Sequence, residues 1–378
     1  MEINPGSNEP PRFLPHTEPF VHIIADERDV DIQDRLDVET YASQLLGLVW
    51  HTAVGDAETE LKLYRELLHY LENRGNQRAA TVLATLANIA DTETMRSEAA
   101  DTMATLPAAP QWCFDPVTVV ECWCSKDVFE ESLTLVCITE SGGVRSGVVV
   151  ILDNDFPPLG PMITDVYGTT EPDAVVESLR EADAGSFTLP VERVSTPNVM
   201  TKLWSALCEL DDEAAHIDVE SPLLLLRAML RHRCRISGVA TSEGRVPTMP
   251  SAAEVKRVLN AFLSSPHAQT LPRNEEVVAA LELILAFHLP TGLRVGPRLS
   301  RTFLHEWVPE ELEADDDMLP VLAPVLAAFN TWVAMDLGLS REAIGIIEQQ
   351  TRHCEQHFRE DIPDYDADAP PDWPGLFE

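Results

Sequence analysis

The sequence predicts a mainly α-helical protein with a small α+β segment, in which helical hairpins or a bundle flank a short sheet. Three observations lead there. Apolar residues recur at helical spacing on both sides of the middle of the chain. A β-branched stretch over residues 131–153 has the alternation and turn chemistry of a hairpin. The composition, 45% apolar with 24% charged residues, is that of a chain able to bury a core.

Residues 1–36 contain Pro5, Pro10, Pro11, Pro15 and Pro19 and read as an extended arm. A helical region over 37–106 follows. Its first run is TYASQLLGLVWHTAV; in the second, Leu61, Tyr64, Leu67, Leu68 and Leu71 make one apolar stripe. A third run is NQRAATVLATLANIA, and Asp91 is placed to cap a fourth helix reaching Met103. The short connections imply antiparallel neighbours. No repeat of solenoid length recurs.

Residues 107–195 read as a small α+β unit. The segment VVECWCSKD alternates as a strand does, placing Cys122 and Cys124 on one face. In ESLTLVCITESGGVRSGVVVILD two strands flank Ser141-Gly142-Gly143, and glycine tolerates the positive φ of a tight turn. A strand at Met162–Tyr167, a helix over Thr170–Ala182 with Pro172 in its first turn, and the strand candidate SFTLPVERV complete the unit.

Helices return over 196–360. Pro197, Pro222 and the box Ser251-x-x-Glu254 mark helix starts, because proline and a side-chain acceptor both suit the unpaired amides of a first turn. Further helices are expected at about 275–289, 297–306, 318–336 and 340–360. The run Asp315-Asp316-Asp317 suits the positive end of the third of these. Residues 361–378, DIPDYDADAPPDWPGLFE, read as an acidic, disordered tail.

The chain of 378 residues has a formal net charge of -36 and only four lysines. Such a balance disfavours non-specific contact with nucleic acid and anionic lipid, which attract basic surfaces. No apolar run reaches the ~18–20 residues of a membrane span, and the N-terminus lacks the basic and apolar regions of a secretory signal. With seven scattered cysteines, these features imply a soluble cytoplasmic protein whose thiols are buried small hydrophobes.

Chemistry-bearing motifs are few. Gly-x-Ser-x-Gly, Gly-x-Gly-x-x-Gly and the phosphate-cradling Gly-x-x-x-x-Gly-Lys-Ser/Thr do not occur. His353 and His357 lie four apart and share a helix face, the spacing of a two-histidine metal pair, without a glutamate directly after the first. Asp153 and Asp155 flank Asn154 at a strand end, where oxygens suit a hard cation or a general base, and where Asp and Asn also simply build turns. Against the charge of the chain, Arg227, Arg231, Arg233 and Arg235 gather on one helix. They are candidates for an anionic ligand or an acidic partner, or alternatively for pairing with the chain's own carboxylates. In the tail, Trp373, Leu376 and Phe377 combine with acids as a docking peptide would, or fold back on their own domain.

The segment Arg294-Val295-Gly296-Pro297, followed by Phe303-Leu304-His305-Glu306-Trp307-Val308-Pro309, resembles a block in a family of proteins from GC-rich bacteria. Val148–Asp153 with Asn154, and Asp165-Val166, are similar to a strand, turn and short strand of that family. The turn Asp155–Gly160 departs from the family's shorter glycine-rich one. The resemblance implies a shared fold and brings no activity with it.

The expected function is therefore a non-enzymatic protein-interaction or scaffold protein, with a protein partner and no cofactor. The alternatives are a metal-dependent hydrolase-like enzyme using Asp153, Asp155, His353 or His357, and an acidic mimic of nucleic acid.

Overall fold

The computed structural model describes residues 34–53, 56–154, 161–182, 187–212, 221–239, 250–313, 316–355 and 357–358. Residues 1–33 of the expected arm, the turn after Asn154 and the acidic tail, with Asp155, Trp373, Leu376 and Phe377, lie outside the described residues, and Arg35 and Leu36, expected at the end of the arm, are already helical.

Four helices open the chain: α1 (Arg35–Ala53), α2 (Ala57–Arg74), α3 (Gln77–Ile89) and α4 (Glu93–Met103). Local chemistry sets their ends. Asp56 and Asn76 accept from the amides of Glu58 and Ala79, and Gly75 closes α2 at φ 61°. Of the expected stripe of α2, Tyr64, Leu67, Leu68 and Leu71 are buried and Leu61 only partly so, while Leu63, outside that stripe, is buried as well. One expectation is corrected here: Thr92, not Asp91, caps α4, its Oγ1 accepting from the Met95 amide at 3.2 Å. The carboxylate of Asp91 is thereby available for tertiary contacts.

The sheet contains β1 (Thr118–Asp127), β2 (Ser132–Ser141), β3 (Val144–Asp153), β4 (Met162–Thr169) and β5 (Thr188–Val194), in the order β4-β3-β2-β1-β5. Every pairing is antiparallel. Ser141 pairs with Val144 across Gly142 and Gly143, whose φ values of 57° and 81° are those of the primed turn that matches strand twist. Alternation gives the sheet two apolar faces. Val136, Ile138 and Val149 pack beneath α5 (Pro172–Ala182) through Val176. Cys122, Leu135, Cys137, Val148, Val150 and Leu152 pack against α6 (Thr196–Asp212) and α7 (Pro222–Ile236).

Helices α6 and α7, grouped by sequence with the C-terminal region, thus share the core of the sheet. Helix α7 is buried on nearly all sides because α1 covers the face turned away from the sheet. A stripe on α1 makes this crossing. Glu39 pairs with Arg233, Ser43 accepts from the Met229 amide, Gly47 meets the Leu224 carbonyl, and Trp50 stacks on Arg227. These positions follow helical spacing and the two helices run antiparallel.

The C-terminal helices have their own core. Helices α8 (Ala252–Leu263), α9 (Glu275–His288), α10 (Pro297–Thr302), α11 (Val308–Glu311), α12 (Leu319–Asp336) and α13 (Arg341–Glu355) gather Phe262, Phe287, Phe303, Phe329 and Phe358. Ser251 caps α8 as its box predicts. Between α10 and α11 a π-turn, Phe303–Trp307, keeps Phe303, Leu304 and Val308 all in the core. Helix α12 corrects the expectation about apolar runs: its 18 residues, at mean hydropathy 1.3, are long and apolar enough to cross a membrane. Half of that stretch is buried inside the C-terminal core.

The two cores meet at the β1–β2 turn. Asp127 accepts from the amides of Phe129, Glu131 and Ser132, holding a tight loop in which Glu130 adopts φ 56°. Phe129 enters the C-terminal core, and the buried Glu131 accepts from the Leu299 amide at 2.6 Å, against the N-terminus of α10. Gly296 leaves no room for a side chain there, since a Cβ would overlap the Glu131 carboxylate.

Candidate functional site

Three of the four clustered arginines, Arg227, Arg231 and Arg235, fall one turn apart on α7 and line a single cleft of about 440 Å³. Its other walls are Trp50 from α1, Ala57 and Glu60 from the first turn of α2, Asp91 and Thr92 from the α3–α4 turn, and Trp204 and Asp211 from α6.

Arg227 is almost completely buried and engaged through two of its three nitrogens. Its Nε donates to Asp211 at 2.7 Å and its Nη1 to Asp91 at 2.7 Å, while the guanidinium lies 4.0 Å from the ring centre of Trp50. Arg231 repeats the pattern one turn on. Its Nη1 meets Asp211 at 3.0 Å and Asp91 at 3.6 Å, and its guanidinium lies 4.8 Å from the ring centre of Trp204. Arg235 donates to the carbonyls of Ala90 and Asn88, and so holds the turn that presents Asp91. Two arginines are thus each held over an indole and braced by the same two carboxylates.

The electrostatics follow from this packing. Burial disfavours the charge on Arg227, but Asp91 and Asp211 overcome it and hold the guanidinium protonated beyond its ordinary range. Burial would raise the Asp91 carboxyl; Arg227 and Arg231 reverse this and bring it below its usual value. Glu60 goes the other way. Burial, then the charge of Asp91, raise its carboxyl, and the arginines only partly offset them. Behind the cleft His232 is pushed down to about 2 by burial and by Arg233 and Arg235, so it is neutral.

Arg233 turns away from the cleft into the α1–α7 interface. It is fully buried against Glu39, which also accepts from Arg35 Nε at 3.0 Å. Its Nε and Nη1 have no acceptor among the described residues.

The other candidates stand apart from the cleft and from one another. Asp153 forms a two-pronged pair with Arg298, at 3.0 and 2.5 Å, and Asn154 Nδ2 donates to the Glu130 carbonyl at 3.0 Å. Both belong to the joint between the two cores. Arg294 also reaches the Glu130 carbonyl, at 3.2 Å, so the Arg-Val-Gly-Pro block supplies the other half of that joint. His353 and His357 lie at the end of α13 with ring centres 5.8 Å apart. Among the described residues no group of three His, Cys, Asp or Glu side chains is placed to hold a metal ion. Cys122 and Cys124 do share a sheet face, and all seven cysteines are free thiols.

Sequence reasoning found Arg227 and Arg231 but not their partners. Asp211, Glu60, Trp50 and Trp204 carry no local signal; a buried arginine requires carboxylates, yet its sequence does not say which. No family model, curated protein or solved structure matches the chain.

Proposed function

We propose that this is a non-enzymatic protein-interaction or scaffold protein, and that the cleft between α1, α2, α6 and α7 is where it engages its partner. One observation carries the reading: the groups lining the cleft hold each other in place. Asp91 and Asp211 are committed to arginines, the Thr92 hydroxyl caps α4, and the two central guanidiniums are stacked on indoles. Among the described residues the lining has no cysteine, serine or histidine. Such a wall offers fixed donors and aromatic edges for recognition, without a nucleophile paired to a base.

The net charge of -36 supports a protein partner over nucleic acid or membrane, and free thiols suit a cytoplasmic location. The hydrolase-like reading draws less support, because Asp153 is bound through both oxygens to Arg298.

Photo-crosslinking tests the proposal. A photoreactive residue at exposed Ala57, on the cleft rim, should trap a discrete partner in the native cell, and Arg231→Glu should abolish the adduct. Trapping no stronger than from exposed Gly345 on α13, or unaffected by Arg231→Glu, would overturn it.

A further inference from the structure

The arginines of the cleft have donors for which no described residue is an acceptor. Arg231 directs Nη1 at the two carboxylates, while its Nε and Nη2 have no acceptor among the described residues. Arg227 engages Nε and Nη1, leaving Nη2 likewise without an acceptor. None of these three nitrogens is sealed from solvent without a partner, in contrast to Nε and Nη1 of Arg233. Both arginines line the cleft, and their guanidiniums are held over indoles and beside carboxylates.

We propose that the cleft binds one oxyanion group, carboxylate or phosphoryl, through Nη2 of Arg227 and Nε and Nη2 of Arg231. The inference rests on the docking reading above and gives the chemistry recognised there. A guanidinium fork matches two oxygens of one anion, which an ammonium does not. The cleft volume is that of a small-molecule site and too small for a folded element.

The surroundings add to the attraction. Ala57 opens α2 and Thr92 caps α4, so two helix N-termini of 18 and 11 residues border the same space and add partial positive charge. Among the described lining residues formal charge balances, with Arg227, Arg231 and Arg235 against Glu60, Asp91 and Asp211. Asp91 and Asp211 are bound to the arginines, whereas Glu60 forms no ion pair among the described residues. Glu60 is therefore the group an entering anion must neutralise or displace. Its loss as a charge leaves the described lining residues with one net positive in a chain of net charge -36.

Calorimetric titration of the full chain with inorganic phosphate, and separately with hexa-aspartate, tests this and separates a free anion from an acidic peptide. One-to-one binding of either probe is expected. Arg231→Lys, which keeps the charge and removes the fork, should weaken it by about tenfold or more, the value of a lost charge-assisted hydrogen bond. Glu60→Gln should tighten it, a gain that misfolding does not produce. Failure of both probes to bind, equal affinity in Arg231→Lys, or weaker binding in Glu60→Gln would overturn the proposal. If neither probe binds while crosslinking from Ala57 still depends on Arg231, the docking reading stands and the oxyanion falls. If phosphate binds and nothing is crosslinked, the reverse holds.

Discussion

Replacing Gly47 by alanine probes the α1–α7 crossing on which the cleft is built. A Cβ at this position would lie 2.9 Å from the Leu224 carbonyl carbon and overlap its oxygen. Carbon atoms pack at about 3.5–4.0 Å, so the helices must separate by roughly 1 Å, a gap that forfeits a quarter to a half of each contact's dispersion energy. Overpacking of this kind costs about 1–3 kcal/mol, and an obstacle in backbone, which cannot rotate aside, belongs at the upper end. Alanine returns about 0.8–1 kcal/mol of helix propensity. The net expectation is a loss of about 2 kcal/mol, together with a looser stack of Trp50 on Arg227. Gly345, inside α13 with open space around its Cβ position, is the control. There only the propensity term applies, and Gly345→Ala should gain up to about 1 kcal/mol. Urea unfolding followed by circular dichroism reads both, as midpoints shifted in opposite directions. If Gly47→Ala stabilises as Gly345→Ala does, the close crossing is not there and the placement of Trp50 on Arg227 loses its basis.

Other outcomes follow from the buried charges. Because the folded state raises the Glu60 carboxyl above its ordinary 4.5, stability falls as pH rises through the folded value, and the ionised side chain is a cost above it. Glu60→Gln should therefore be more stable than wild type at neutral pH, with the difference shrinking below pH 4.5 in thermal melts. His232 and His288 are held neutral, with values lowered from 6.5 to about 2 and about 3. The unfolded chain takes up these protons first, so stability should decline as pH drops below 6.5, each histidine adding up to about 1.4 kcal/mol per pH unit. His232→Gln should flatten that decline; an unchanged slope would show that the ring is solvated. Arg233→Met alone should cost about 3–5 kcal/mol, while Arg233→Met with Glu39→Leu should return close to wild type, measured as a double-mutant cycle in urea.

Where local chemistry decides the structure, the sequence was readable. The Gly142-Gly143 turn fixes the β2–β3 hairpin, and the helix starts at Pro222 and Ser251 fall where their amide chemistry puts them. Asp91 and Thr92 are both good caps and adjacent, so sequence alone does not separate them; the tertiary demand of Arg227 for a carboxylate does. Helix α12 is apolar almost throughout although only half of it is buried, which blurs the stripe that sets a helix's orientation. The π-turn at Phe303–Trp307 has no composition of its own and follows from packing. The grouping of α6 and α7 with the sheet depends on which apolar faces meet, a choice that periodicity leaves open. At the site, a run of arginines on an apolar helix was visible as an anomaly. Its answer came from Trp50, Asp91, Trp204 and Asp211, as far as 177 positions away in the sequence numbering.

The crossing of α1 with α7 also imposes an order in time. Helices α1 to α4 are complete by Met103, but α7 begins at Pro222, about 120 residues later in synthesis. At about 5–20 residues per second, that is roughly 6–24 s during which the stripe of Glu39, Ser43, Gly47 and Trp50 has been made and its partner has not. Throughout that interval a carboxylate and an indole destined for the interior face water or a chaperone. The cleft itself cannot exist until α7 has left the ribosome, so competence to bind arrives only after more than half of the chain has been made.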